Sequence, residues 1–148
     1  AKHQEPPFHI MPNLTDRDFL KKHPPHYYLA SRYYENRLSR TLRKGHPQRF
    51  RMEMLPAGNN ETLRLIMHTK EQLGKRKINA KINGKPLKPI EDVSPVCDNP
   101  FDWMITPNGK HRRAWTLPGS LIRKGLNDIE LRLESGNPIT VFWLDAGR

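Results

Sequence analysis

Asp128-Ile129-Glu130-Leu131-Arg132-Leu133-Glu134 is the most regular run in the chain, and its reading decides the fold. Ile129, Leu131 and Leu133 alternate with charged residues, a period of two. In an extended strand successive side chains point to opposite sides, so this run offers one face to an apolar core and the other to water. Moving forward, Ser135-Gly136-Asn137-Pro138 is a turn cluster, and residues 139–144 are a second strand rich in β-branched and aromatic side chains. The two are expected to pair as an antiparallel hairpin.

The same alternation recurs upstream. Phe50, Met52 and Met54 alternate with Arg49, Arg51 and Glu53; Leu63, Leu65 and Met67 with Arg64, Ile66 and His68; Ile78, Ala80 and Ile82 with Asn79, Lys81 and Asn83. Residues 37–42 and 111–117 complete the set, the latter with Trp115 and Leu117 on one face. Asn83-Gly84 is the favoured pair for a two-residue hairpin turn, because both positions take positive φ. Pro86 and Pro89 mark the return strand as an edge. Short strands separated by turn signals, with little helix, predict an all-β antiparallel β-sandwich spanning residues 31–148. Residues 1–30 read differently. Their prolines at 6, 7, 12, 24 and 25 make an irregular arm or linker, with room for one short helix capped by Thr15. Tyr27, Tyr28, Tyr33 and Tyr34 suit either sugar stacking or packing of the arm, and packing is favoured.

The order of segments then takes on a family pattern. Ile82-Asn83-Gly84 is followed by Trp115-Thr116-Leu117-Pro118, and then by Leu121-Ile122-Arg123-Lys124-Gly125-Leu126-Asn127-Asp128-Ile129. This resembles the galactose-binding-domain-like jelly rolls found as accessory domains in glycoside hydrolases and related extracellular proteins. In these, "Leu-x-x-Gly-x-Asn-x-Ile" leads into the penultimate strand. Gly125 permits a left-handed turn and Asn127 can bond the backbone where the strand begins. The resemblance covers residues 37–144 and implies a jelly roll and a secreted or cell-surface setting. Its motifs specify fold rather than ligand.

The 148 residues carry 26 Lys and Arg against 15 Asp and Glu, a net charge of +11. Such a charge attracts polyanions without choosing among them. Cys97 is the only cysteine, so no internal disulfide and no cysteine-based zinc site can form. The histidines show no metal-ligand spacing, and there is no phosphate-cradling loop and no nucleophile elbow. No RNA-recognition signature or recognition helix is present, which makes nucleic acid a poor candidate partner. Residues 90–107 are the longest aperiodic stretch and hold Asp92, Asp98, Asn99, Asp102 and Trp103. Acids in one loop more often hold a structural calcium ion, or nothing, than act as catalysts. The expectation is therefore a non-catalytic module, with no cofactor beyond such a calcium ion.

Two readings follow. In the first, the domain binds a polysaccharide, preferably anionic, sulfated or uronic. Lys75, Arg76 and Lys77 flanking one loop, and Lys110, Arg112 and Arg113 before the Trp115 strand, would form a basic lip beside Trp103 and Asn99. Trp103 would be the stacking residue, since no core pattern claims it, and arginine can grip sulfate or carboxylate with two parallel hydrogen bonds. In the second, the domain is a structural module packed on a catalytic domain of the same parent chain, with no ligand of its own. That use calls for a large apolar patch on an outer face.

Overall fold

The structure, a computed structural model, describes residues 9–10, 27–30, 40–56, 58–94 and 109–147. The described chain is built from antiparallel strands: β1 (His9–Ile10), β2 (Tyr27–Ala30), β3 (Arg40–Leu42), β4 (Gln48–Met54), β5 (Thr62–Thr69), β6 (Lys77–Ile82), β7 (Lys85–Pro86), β8 (Lys88–Ile90), β9 (Arg112–Pro118), β10 (Gly125–Ser135) and β11 (Ile139–Gly147). Single 3-10 turns at Gly109–His111 and Gly119–Leu121 precede and follow β9. No helix among the described residues is long and apolar enough to cross a membrane.

The strands form two sheets. The larger runs β1-β2-β11-β5-β9-β8, with β3 also paired to β11; the smaller runs β4-β10-β6-β7. This is the antiparallel β-sandwich that the alternation predicts. Phe50, Met52, Ile78, Ile82, Ile129, Leu131 and Leu133 of the small sheet face Leu63, Leu65, Leu117 and Trp115 of the large one, all buried in one core. Sheets pack about 10 Å apart, so each strand needs only alternate apolar residues to fill the space between them.

One expectation is corrected. β10 and β11 do not form a hairpin. β10 pairs with β4 and β6, whereas β11 pairs with β2, β3 and β5. The turn between them arches from one sheet to the other. Both strands bury apolar faces against the same core, and a strand on each side of that core satisfies both. Gly136, at φ 107, makes the sharp bend, and its backbone lies against Arg76: a Cβ there would come within 2.5 Å of Arg76 Cγ.

The Asn-Gly expectation is met. Ile82 pairs with Lys85, leaving Asn83 (φ 49) and Gly84 (φ 82) as a two-residue turn. Asn127 does what its position in the motif implies. Its side-chain oxygen accepts from Arg123 N (2.9 Å) and Asn83 Nδ2 (2.9 Å), and its amide donates to the carbonyls of Arg123 (2.9 Å) and Gly125 (3.0 Å). A buried amide with every group paired carries no desolvation penalty and locks the turn that enters β10.

The arm contributes backbone pairing. Tyr27–Ala30 lies antiparallel along residues 143–146 of β11, and His9–Ile10 pairs with Tyr27 and Tyr28. The short helix expected near Thr15 falls outside the described residues.

Candidate functional site

The connections between sheets gather at the two ends of the sandwich. At one end lie the β3–β4 turn, the β5–β6 loop, the β10–β11 arch and the 3-10 turn before β9. Registers place them together: Leu42 is opposite Ile139, Lys70 N donates to Thr140 O (3.0 Å), and Leu73 N donates to Lys110 O (2.8 Å). Strand order thus brings the 70–77 and 109–113 segments to one rim.

The rim is braced from within. Leu73 is fully buried and plugs the β5–β6 loop into the core. Arg76 donates through Nε to Asn137 O (2.7 Å) and through Nη1 to Gln72 O (2.7 Å), tying the loop to the arch. Arg113 Nη2 donates to Gly74 O (3.0 Å) and Arg76 O (3.1 Å). Burial lowers the Arg113 pKa from its ordinary value. Thr69 Oγ1 donates to Glu71 O (2.7 Å), and the Glu71 carboxylate accepts from Thr140 N (2.7 Å) and Thr140 Oγ1 (3.1 Å). Partial burial pushes the Glu71 pKa up. The bonds from Thr140, its own backbone and the nearby Arg76 charge outweigh it, so the group sits below the ordinary glutamate range.

What this scaffold presents to water is basic. Arg43, Lys44, Lys70, Lys75, Lys77 and Lys110 are exposed at this end, and among the described residues its one exposed loop carboxylate, Glu71, is spent on Thr140. Lys75 and Lys110 lie on this rim. Arg76 and Arg113 belong to the same rim, but their guanidinium groups hold backbone carbonyls. Arg112 does not join them. It points to the other side of β9, is 6% exposed, and donates to Val93 O (3.2 Å). Trp103 and Asn99 lie outside the described residues. Arg43, Lys44 and Lys70 were not singled out from the sequence, whereas Lys77 was expected on the lip. The only signal was the basic run Arg43-Lys44 in a turn, whose nearness to residues 70–77 depends on strand order.

Two other surfaces have different chemistry. The outer face of the small sheet carries an open groove of about 410 Å³ lined by Arg49, Lys81, Asn83, Gly84, Arg123, Asp128 and Glu130. Its charges face each other in loose pairs: Arg49–Glu130 at 3.6 Å, Arg51–Asp128 at 3.6 Å and Arg123–Asp128 at 3.8 Å. The outer face of the large sheet is buried. Ile66 and Ala114 pack with Ile90 and Val93, and beside them His68 Nε2 meets Asp145 Oδ2 at 2.9 Å. Their side chains are 0% and 2% exposed, out of reach of a substrate in solution. This pair fastens β5 to β11, and the edge of the Trp143 ring closes on His68 at 6.4 Å between centroids. Among the described residues no group of three or more His, Cys, Asp or Glu could hold a metal ion. Asp92, from the acid-bearing loop, is bonded by Ser94 and lies 3.3 Å from Arg64 Nη1; Ser94 and, less strongly, Arg64 hold its pKa below the ordinary range. Asp98 and Asp102 lie outside the described residues.

No family model matches the chain, and no curated protein matches it. Among solved structures the fold is similar to part of a beta-porphyranase of glycoside hydrolase family 86 from the human gut bacterium Bacteroides plebeius. The TM-score is 0.51, with 17% identity, over 82% of this chain and 20% of that one. The chain therefore spans about a fifth of that enzyme's length, and the likeness is one of β-sandwich fold.

Proposed function

We propose that this chain is a non-catalytic polysaccharide-binding module that prefers an anionic chain, sulfated or uronic, and works as an accessory domain of a secreted or cell-surface glycoside hydrolase. The observation that carries the reading is the basic rim. Exposed lysines and arginines stand on loops braced by buried anchors and backbone hydrogen bonds, so their charges are held in place before a ligand arrives. The fold likeness to one-fifth of a glycoside hydrolase supports the accessory role; the galactose-binding-like affiliation rests on the sequence motifs. In this reading Lys75 and Lys110 contact the polymer, Arg76 and Arg113 position them, and Trp103 with Asn99 adds the stacking side. A calcium ion, if bound, would belong to the loop that holds Asp98 and Asp102.

The second reading, a structural module docked on a catalytic domain, draws less support. Among the described residues the exposed large apolar side chains are Leu55 (38%) and Leu126 (43%), too few for a docking patch of several hundred Å².

Affinity electrophoresis against neutral, sulfated and uronic polysaccharides at two salt concentrations tests the proposal. The acidic polymers should retard the protein and the neutral one should not. The retardation should weaken with salt, because exposed charges are screened within about 8 Å at physiological ionic strength. Replacing Lys75 and Lys110 together with Ala should weaken it further, as should Trp103→Ala. Absence of retardation by every acidic polymer would leave the structural reading as the better one.

A further inference from the structure

The β3–β4 turn holds an open pocket of about 340 Å³ lined by Thr41, Arg43, His46 and Gln48. We infer that this pocket is the anchor subsite for a sulfate ester on the bound polysaccharide, gripped by the Arg43 guanidinium. The inference rests on the polysaccharide reading and assigns it a specific contact.

The lining is a set of donors. A guanidinium, an imidazole, a hydroxyl and an amide line it, and among the described residues no carboxylate does. Arg43 forms no ion pair among the described residues, whereas the arginines of the small sheet's outer face lie against Asp or Glu. The nearby carboxylate of Glu71 is occupied by Thr140, the cross-strand neighbour of Thr41.

The backbone beneath is held on both sides. β3 is paired to β11, with Thr41 opposite Thr140, and Gln48 of β4 is opposite Leu131 of β10. His46 N donates to Arg43 O (3.0 Å), which closes the turn. Arg40 clamps β3 to β4, donating to Arg49 O (2.9 Å) and lying 5.1 Å over the Phe50 ring. Little backbone ordering remains to be done on binding. The ligand class follows from counting donors. A planar carboxylate presents two oxygens to the Arg43 fork. A sulfate ester presents three tetrahedral oxygens, which can take the fork and also the Thr41, His46 and Gln48 donors.

The test is titration calorimetry on the full chain with a sulfated polysaccharide, a uronic polysaccharide of matched charge density, single-stranded RNA and inorganic sulfate. Arg43→Ala should weaken the sulfated polymer by roughly 10- to 100-fold, the range for losing a charge-assisted hydrogen-bond pair. Arg43→Lys, which keeps the charge but not the fork, should recover only part of it. Lys44→Ala in the same turn and Lys85→Ala at the opposite end should each cost less than about threefold, as single exposed charges do. Unfolding midpoints check that the variants are folded. Equal losses in Arg43→Ala and Lys44→Ala would overturn the pocket and leave diffuse attraction to the rim. An equal loss for the uronic polymer would overturn the sulfate assignment. Binding of inorganic sulfate, abolished by Arg43→Ala, with no polymer bound would uphold the pocket and overturn the polysaccharide reading. Wild-type protein that binds none of the polymers and no sulfate, or binds RNA more tightly than any glycan, overturns both.

Discussion

Several residues here have jobs their chemistry does not advertise. Arg76 and Arg113 are cations on a basic rim, yet their donors are spent on carbonyls of two connections, the β5–β6 loop and the β10–β11 arch. Arginine suits this because its rigid planar fork offers several N–H groups at once. Gly136 is the counterpart. It has φ 107, and a methyl group there would strike Arg76 Cγ at 2.5 Å. Gly136→Ala is therefore expected to destabilise the protein by about 1 to 3 kcal/mol, from backbone strain in a region L residues rarely occupy. It should also displace Arg76 from Asn137. Urea unfolding measures the first effect. A rim that keeps its affinity for acidic polymer in this variant would show that Arg76 has no positioning role.

At the scale of elements, β10 is the centre of the small sheet, paired on both sides, with Leu131 fully buried between Gln48 and Ala80. Leu131→Ala removes apolar area and leaves a cavity, at a cost of roughly 2 to 5 kcal/mol, readable from the shift in denaturation midpoint. An effect under about 1 kcal/mol would mean the sheets close over the gap. The β5–β6 loop has a separate sensitivity to acid. Glu71 has a depressed pKa in the folded state, so its contribution is present above the ordinary value of 4.5 and is lost as the pH falls through the lower folded value. Once the pH falls through that lowered value the bonds to Thr140 should fail locally. Amide exchange at Thr140, corrected for its intrinsic rate, should then rise while that of Leu131 does not. Glu71→Gln should remove the pH dependence.

For the whole molecule, charge is sorted by surface. The small sheet's outer face pairs its arginines with acids, the middle of the large sheet's outer face is buried, and the exposed charged side chains described at one end are mostly cations. A net charge of +11 thus becomes a directional feature. The core draws its residues from Leu42 to Ala146. Deleting residues 1–25 should accordingly leave a folded domain that unfolds in one cooperative transition, with β2 still pairing along β11. A broad, non-cooperative melt of the truncated chain would make the arm part of the fold.

The sequence by itself determined most of the strands between residues 40 and 147, the faces they bury and the turns that take positive φ, but not β1 and β2, which it read as an irregular arm. Those properties reside in periodicity and in single residues such as Asn83, Gly84 and Asn127. It did not determine which strands pair. The short link between β10 and β11 is compatible with a hairpin or with an arch between sheets, and only burial of both apolar faces against one core selects the arch. Nor did it reveal that His68 and Asp145 are buried together, because an outer face looks solvated until the segments that cover it are in place. The basic rim has the same origin. Arg43, Lys70, Lys75 and Lys110 lie far apart in the chain, and strand order alone sets them on one end. Arg112 and Arg113 are adjacent, yet the alternation of a strand sends one toward Val93 and the other to the rim. Whether a cation serves a ligand or the backbone depends on which carbonyls lie within its reach, and that is a property of tertiary structure.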